Sequence, residues 1–184
     1  MRSWAWAATI GFLWLAANVQ AGVLPYGKAQ IQNGYQLQIG ELRYRLNSVD
    51  SFELGQTCWD RDTAEVVDCG GEAKRALEAI VGSEDVLCDH VGQTPPFTGV
   101  VDTTCSTAGG DIATALVQSG WALVRVDLIK SAAEKSRLCN LEANAKRRGV
   151  GAWRYRFALP YVYRGEKEKP LGEVSCGNAP DVTP

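Results

Sequence analysis

Two alternating runs, separated by Gly40-Glu41, constrain this chain most. Tyr35, Leu37 and Ile39 alternate with Gln36 and Gln38, and Leu42, Tyr44 and Leu46 alternate with Arg43 and Arg45. A period of two marks strands with one buried and one wet face. Asn33-Gly34, just upstream, is a two-residue hairpin signal because both residues tolerate positive φ, so residues 28–46 read as a three-stranded meander. Further strands are expected near Val86–Val91 and Gly99–Cys105, for about five in all. Three helices follow from periodicity and caps. The first spans Gly71–Val81, with Ala73, Leu77, Ile80 and Val81 inward, and the second runs from a cap at Asp111 to Ser119. The third starts at Ser131, where Ser131 and Glu134 form a capping box and Leu138, Leu141 and Ala145 make an apolar stripe. The class is α+β.

The N-terminus carries Arg2, an apolar run from Trp4 to Ala17, and Val19-Gln20-Ala21 before Gly22. This is the pattern of a cleavable signal peptide over residues 1–21. A membrane anchor is the competing reading, but the run is shorter than the roughly 20 residues that span a bilayer, and no later stretch is apolar enough to cross one. One domain over residues 22–160 and a tail over 161–184 are expected, with Gly165-Glu166-Lys167-Glu168-Lys169-Pro170 as a polar linker. All six cysteines (Cys58, Cys69, Cys88, Cys105, Cys139 and Cys176) follow the proposed cut. An even count in an exported chain points to disulfides and a secreted or periplasmic location. Zinc is disfavoured, since there is no C-x-x-C pair and His90 is the sole histidine. Spacing alone leaves the pairing open.

Charge is unevenly placed. From Gly22 to Glu142 there are 10 basic and 17 acidic residues, and from Ala143 to Lys169 there are 8 basic and 2 acidic. The basic stretch interleaves with aromatics in Trp153-Arg154-Tyr155-Arg156-Phe157, then Tyr161, Tyr163 and Arg164. Arg154 and Arg156 are therefore candidate ligand contacts, because arginines and aromatics together hold single-stranded nucleic acid. The plainer reading, and the preferred one, is that the aromatics dock the tail while the arginines stay solvated.

Arg45, Asp50 and Glu53 stand at offsets of five and three, where the second strand runs into a turn. A cation to grip phosphate, a hard carboxylate for a metal and a second carboxylate for proton transfer are the parts of metal-assisted phosphodiester hydrolysis. Arg45-Leu46-Asn47-Ser48-Val49-Asp50-Ser51-Phe52-Glu53 resembles the motif R-[LV]-x-x-[VI]-D-[TS]-P-E of the staphylococcal-nuclease (thermonuclease) family. The resemblance continues in Cys69-Gly70-Gly71-Glu72-Ala73, in Gly110-Asp111-Ile112 with Leu116-Val117 and Gly120-Trp121-Ala122, and in Glu142, Ala145, Lys146, Gly149, Gly151 and Trp153. It covers residues 28–153 and implies a five-stranded OB-type β-barrel packed with three α-helices; a monomer is the separate expectation for the chain. Placed on that fold, the cysteines pair as Cys58–Cys69, Cys88–Cys105 and Cys139–Cys176.

The resemblance also implies a catalytic inventory. In the family two aspartates and a backbone carbonyl hold calcium, two arginines clamp phosphate and a glutamate handles water. Arg45 matches the first arginine, Asp50 one ligand, Ser51 the carbonyl donor and Glu53 the base, although Phe52 replaces the usual proline. The family's D-G-D-T reads Asn33-Gly34-Tyr35-Gln36 here, so Tyr35 takes the place of the second aspartate. A neutral phenol does not replace a carboxylate for a dication that wants many hard oxygens. The family's D-x-Y-G-R reads Pro96-Phe97-Thr98-Gly99-Val100, so Val100 takes the second arginine's place, and no Arg or Lys occurs from Gly82 to Trp121. An arginine that neutralises transition-state charge is worth about 10³–10⁵ in rate in related phosphoryl transfers.

The expected function is thus an exported, disulfide-braced nuclease-fold protein lacking efficient catalysis, needing no cofactor, and acting as a binding or accessory domain in the cell envelope. On that reading Arg45 and Glu53 pair at the barrel mouth and Asp50 caps the turn. One alternative is a calcium-dependent endonuclease on DNA or RNA, with Ca²⁺ as its cofactor. Another is an accessory factor in exopolysaccharide biosynthesis, since some bacterial proteins similar to this family are encoded with such machinery. The partner is then nucleic acid or an oligosaccharide, both of which OB-type grooves hold. His90 has no visible catalytic partner.

Overall fold

The computed structural model describes residues 25–91, 99–165 and 174–177. The proposed leader (residues 1–21), Pro96-Phe97-Thr98 and the linker stretch 166–170 lie outside the described residues. The architecture is α+β. Its main sheet contains β1 (Tyr26–Gly27), β2 (Ala29–Ile31), β3 (Gln36–Ile39), β4 (Leu42–Leu46), β8 (Val86–His90) and β9 (Val100–Thr107), in the order β1-β8-β9-β4-β3-β2. Only Lys28 separates β1 from β2, so the two ends of the sheet are one bent strand and the sheet nearly closes into a barrel. Gly27 makes the bend at φ +148°, a conformation that side-chain-bearing residues avoid. All pairings in this path are antiparallel except β4 with β9, which sets Arg43 beside Val100 and Arg45 beside Asp102.

Alternation along these strands fills the barrel. Leu37, Tyr44, Leu46, Val86 and Val101 point in and meet Leu77, Ile112, Leu116 and Leu138 from the helices. Helix α1 (Cys69–Val81) is capped by Asp68, whose carboxylate accepts from Gly71 N, and α2 (Ile112–Ser119) is capped by Asp111. Helix α3 (Ala132–Arg148) starts at Ser131 and stops at Gly149, which adopts the left-handed conformation. Glu142 of α3 is fully buried, and its Oε2 accepts from Val124 N at 2.6 Å. A short α4 (Pro160–Tyr163) was not evident from periodicity. Among the described residues, no helix is long and apolar enough to cross a membrane.

Two expectations change. Asn33-Gly34 does not make a positive-φ hairpin turn, for neither residue has positive φ. Asn33 Oδ1 instead accepts from the backbone N–H of Tyr35 and Gln36, at 3.0 and 2.8 Å. Gly34 is required for space: a Cβ there would lie 2.5 Å from Ser51 Oγ and 2.8 Å from Ala73 Cβ. Beyond the main sheet and its short addition β10 (Gly110–Asp111), smaller sheets are present. β5 (Val49–Ser51) pairs with β11 (Ala122–Val124), and β6 (Thr57–Asp60) lies between β7 (Val66–Asp68) and β12 (Tyr155–Arg156). Asp50 therefore belongs to a strand and does not cap a turn.

The disulfides are Cys58–Cys69, Cys88–Cys105 and Cys139–Cys176, the pairing implied by the resemblance, with Cα–Cα separations of 5.7, 4.1 and 5.3 Å. Three bridges suit an oxidising compartment outside the cytoplasm. A second apolar cluster, with Phe52, Cys58, Leu123, Trp153, Phe157, Leu159 and Tyr161, fastens the C-terminal segment to the loop after β5.

Candidate functional site

Asp50 is the centre of the site. It sits on β5 opposite Leu123 and is only 4% exposed. A carboxylate so placed must be paired or lose its charge. Its partner is Arg164, directly after α4. Nη1 donates to Oδ1 and Nη2 to Oδ2, both at 2.9 Å, a bidentate fork. Nη1 also donates to Glu53 Oε1 at 2.8 Å, and the Tyr35 hydroxyl donates to that same oxygen at 2.8 Å. The guanidinium carbon lies 5.9 Å from the Tyr35 ring centre. Burial first, and then the hydrogen bond to Glu53, push the Tyr35 phenol well above its ordinary pKa, which keeps it a neutral donor.

Two further guanidinium groups edge the site. Arg125 holds Asp127 through Nε and Nη2 at 2.9 and 2.8 Å, with Nη1 4.0 Å from Asp50. Arg45 projects from the outer face of β4 and grips Asp102 on β9 at 2.6 and 3.0 Å. That hydrogen bond raises the Arg45 pKa above its ordinary value. Between them lies a cavity of about 390 Å³, lined by Tyr35, Arg45, Leu46, Val49, Asp50, Arg125, Leu128 and Arg164. Three guanidinium groups thus face four carboxylates, those of Asp50, Glu53, Asp102 and Asp127.

The route of the C-terminal segment explains how Arg164 arrives. Phe52 is fully buried and meets Phe157 edge-on at 5.0 Å. Buried Gln56 accepts from Glu53 N at 3.1 Å and donates to Ala158 O at 2.8 Å. Residues 157–164 therefore run along the loop that carries Glu53, and α4 ends beside Asp50.

Of the residues singled out in the sequence, Tyr35, Asp50 and Glu53 come together in one hydrogen-bonded cluster. Ser51 is next to it, fully buried in the β5–β11 ladder, with Oγ donating to Trp121 O at 2.6 Å. Arg45 lines the cavity but pairs with Asp102, so the expected Arg45–Glu53 pair is replaced by Arg164–Glu53. Val100 lies across the ladder from Arg43 and does not line the cavity. Arg154 and Arg156 also lie away from it: the Arg154 guanidinium is 5.3 Å from the Tyr155 ring centre, and Arg156 stands opposite Trp59. His90 is exposed, with its ring 6.5 Å from that of Tyr44. Sequence reasoning missed Arg164 and Arg125. Arg164 was visible only as one more charge in the basic–aromatic run, and Arg125 falls just past the stretch without cations.

The donor set does not fit a calcium ion. Asp50 and Glu53 are the carboxylates at the centre, and both turn oxygens toward the Arg164 guanidinium. Among the described residues there is no group of three or more His, Cys, Asp or Glu side chains able to hold a metal.

No family model matches this chain. It is similar to the succinoglycan biosynthesis protein ExoI of Rhizobium meliloti (strain 1021), with 31% identity over 129 residues. The match covers 70% of this chain and spans 64% of the length of that relative.

Proposed function

We propose that this chain is an exported, disulfide-braced protein with an OB-type barrel of the nuclease kind, without efficient phosphodiester hydrolysis, acting as an accessory factor in exopolysaccharide production in the cell envelope. The observation that carries this reading is the Arg164 fork on Asp50 and Glu53. A guanidinium neutralises those carboxylates as a metal would, but it offers no open coordination position and does not acidify water as a bound metal ion does. Tyr35 and Val100 remove the remaining aspartate and arginine that the resemblance calls for. The acidic excess before Ala143 adds a repulsion toward polyanions.

Exopolysaccharide is the favoured context because the relative named above is a succinoglycan biosynthesis protein, and OB-type barrels hold oligosaccharides as well as oligonucleotides. Three disulfides support export. The second reading, a calcium-dependent nuclease, draws on the survival of Arg45, Asp50 and Glu53 around one cavity.

Deletion and complementation in the native host separate the two. Loss of the chain is expected to lower secreted exopolysaccharide, and both wild type and Glu53→Gln are expected to restore it. Unchanged exopolysaccharide on deletion, or rescue by wild type but not by Glu53→Gln together with calcium-dependent cleavage of DNA, contradicts the proposal.

A further inference from the structure

Nine of the eleven described arginines, all but Arg43 and Arg61, fall into two groups. Arg45, Arg75, Arg125, Arg137 and Arg164 each lie 2.6–2.9 Å from a carboxylate. Arg147, Arg148, Arg154 and Arg156 have no carboxylate within 4.0 Å among the described residues. These four belong to a segment, Ala143 to Gly165, with six basic residues and no acidic one.

Packing holds that segment compact. The Lys146 ammonium sits over the Trp153 ring at 5.5 Å, and Val150 N and Trp153 N bond back to Ala145 O and Val150 O at 3.2 Å. The end of α3 is thus tied to the turn Gly151–Arg154 that leads directly into β12. Cations at a helix C-terminus favour the macrodipole, which accounts for Lys146, Arg147 and Arg148. It does not account for Arg154 or Arg156, which lie beyond the helix. Arg154 is exposed, whereas Arg156 is half-buried and its Nε, itself closed off from solvent, has no hydrogen-bond partner among the described residues.

The aromatic residues decide which polyanion suits this surface. Single-stranded nucleic acid needs free ring faces for base stacking. Trp153, Phe157 and Tyr161 are buried in the second cluster and Arg154 already lies over Tyr155, which leaves Tyr163 of α4 as the exposed ring of this segment. A polymer recognised through carboxylates needs no stacking face, only guanidinium forks of the kind this chain makes five times within itself.

We infer that the surface at the end of α3 and along β12, centred on Arg147, Arg148, Arg154 and Arg156, binds a carboxylate-bearing polysaccharide. This rests on the proposed role in exopolysaccharide production and names the ligand class for it, at a place separate from the Asp50 cavity.

The test is binding of the purified protein to alginate, with neutral dextran and poly-dT as comparison polymers, in salt on the order of 50 mM. Alginate is expected to bind and dextran not, and Arg147→Ala/Arg148→Ala/Arg154→Ala to weaken alginate binding by about tenfold or more. Arg75→Ala, on α1, is expected to leave it unchanged. Binding by the triple variant within about twofold of wild type, no binding of alginate, or preference for poly-dT at equal charge concentration overturns the inference. None of those outcomes bears on the deletion and complementation experiment, so the two can fail separately.

Discussion

Arg164 and Asp50, 114 residues apart in the chain, are joined by two parallel hydrogen bonds of 2.9 Å each. Glu53 and Tyr35 complete the shell of this internal ion pair.

Removing one partner leaves a buried charge behind. Arg164→Met is expected to destabilise the fold by about 3–5 kcal/mol, because buried Asp50 loses the guanidinium that forks its two oxygens. Arg164→Met with Asp50→Asn is expected to recover a large part of that loss. Urea unfolding midpoints for the two single variants and the double variant check this. Additive losses would show that the pair carries no coupling.

Tyr35 gives the pH dependence. Its folded pKa is raised above the unfolded value of 10.0, so the contribution is fully present below pH 10 and falls as pH rises toward the folded value. Above pH 10 the unfolded chain has released this proton while the folded chain retains it, and stability therefore drops with pH. Tyr35→Phe removes that proton linkage, so its stability is expected to fall less steeply than wild type between about pH 10 and 11.5. Parallel slopes for the two proteins contradict this.

Glu142 supports β11, the partner of the strand that carries Asp50. Glu142→Ala strands the Val124 N–H in the interior and is expected to cost about 2–4 kcal/mol. Thermal and urea unfolding of the variant read it. A loss under about 0.5 kcal/mol, the usual range for surface substitutions, contradicts the assignment.

Gly34 separates a space requirement from a turn requirement. Gly34→Ala drives a methyl group into Ser51 and Ala73 and is expected to destabilise by about 1–3 kcal/mol. Gly40→Asn, at a φ of +60° with nothing within 4 Å of the new Cβ, is expected to cost under about 1 kcal/mol. Equal losses at the two positions contradict the packing account.

The strands and helices were legible because alternation and caps are local. Leu37, Tyr44 and Leu46 announced a buried face, and Asp111 and Ser131 announced helix starts within a few residues of where they occur. Gly34 misled because Asn-Gly is a turn signal whenever the backbone is the limiting factor, and here it is the neighbouring side chains. Asp50, Glu53 and Tyr35 were found in the sequence as members of one site. Their shared partner was not, since nothing local marks Arg164 as different from Arg154 or Arg156. What distinguishes it is the path of residues 157–164 over Phe52, which two long-range contacts, Phe52 with Phe157 and Gln56 with Ala158, determine. Arg45 was placed on the correct face of β4, yet its acceptor Asp102 comes from the parallel strand β9, a pairing that spacing does not reveal.

Cleavage of single-stranded DNA and RNA by the purified protein, with and without calcium and beside Glu53→Gln, reads directly whether the Asp50 site hydrolyses phosphodiesters. With the Arg164 guanidinium on Asp50 and Glu53, wild type is expected to show no calcium-dependent cleavage above that of Glu53→Gln. Robust calcium-dependent cleavage by wild type that Glu53→Gln abolishes would contradict the account and restore the site as a working nuclease.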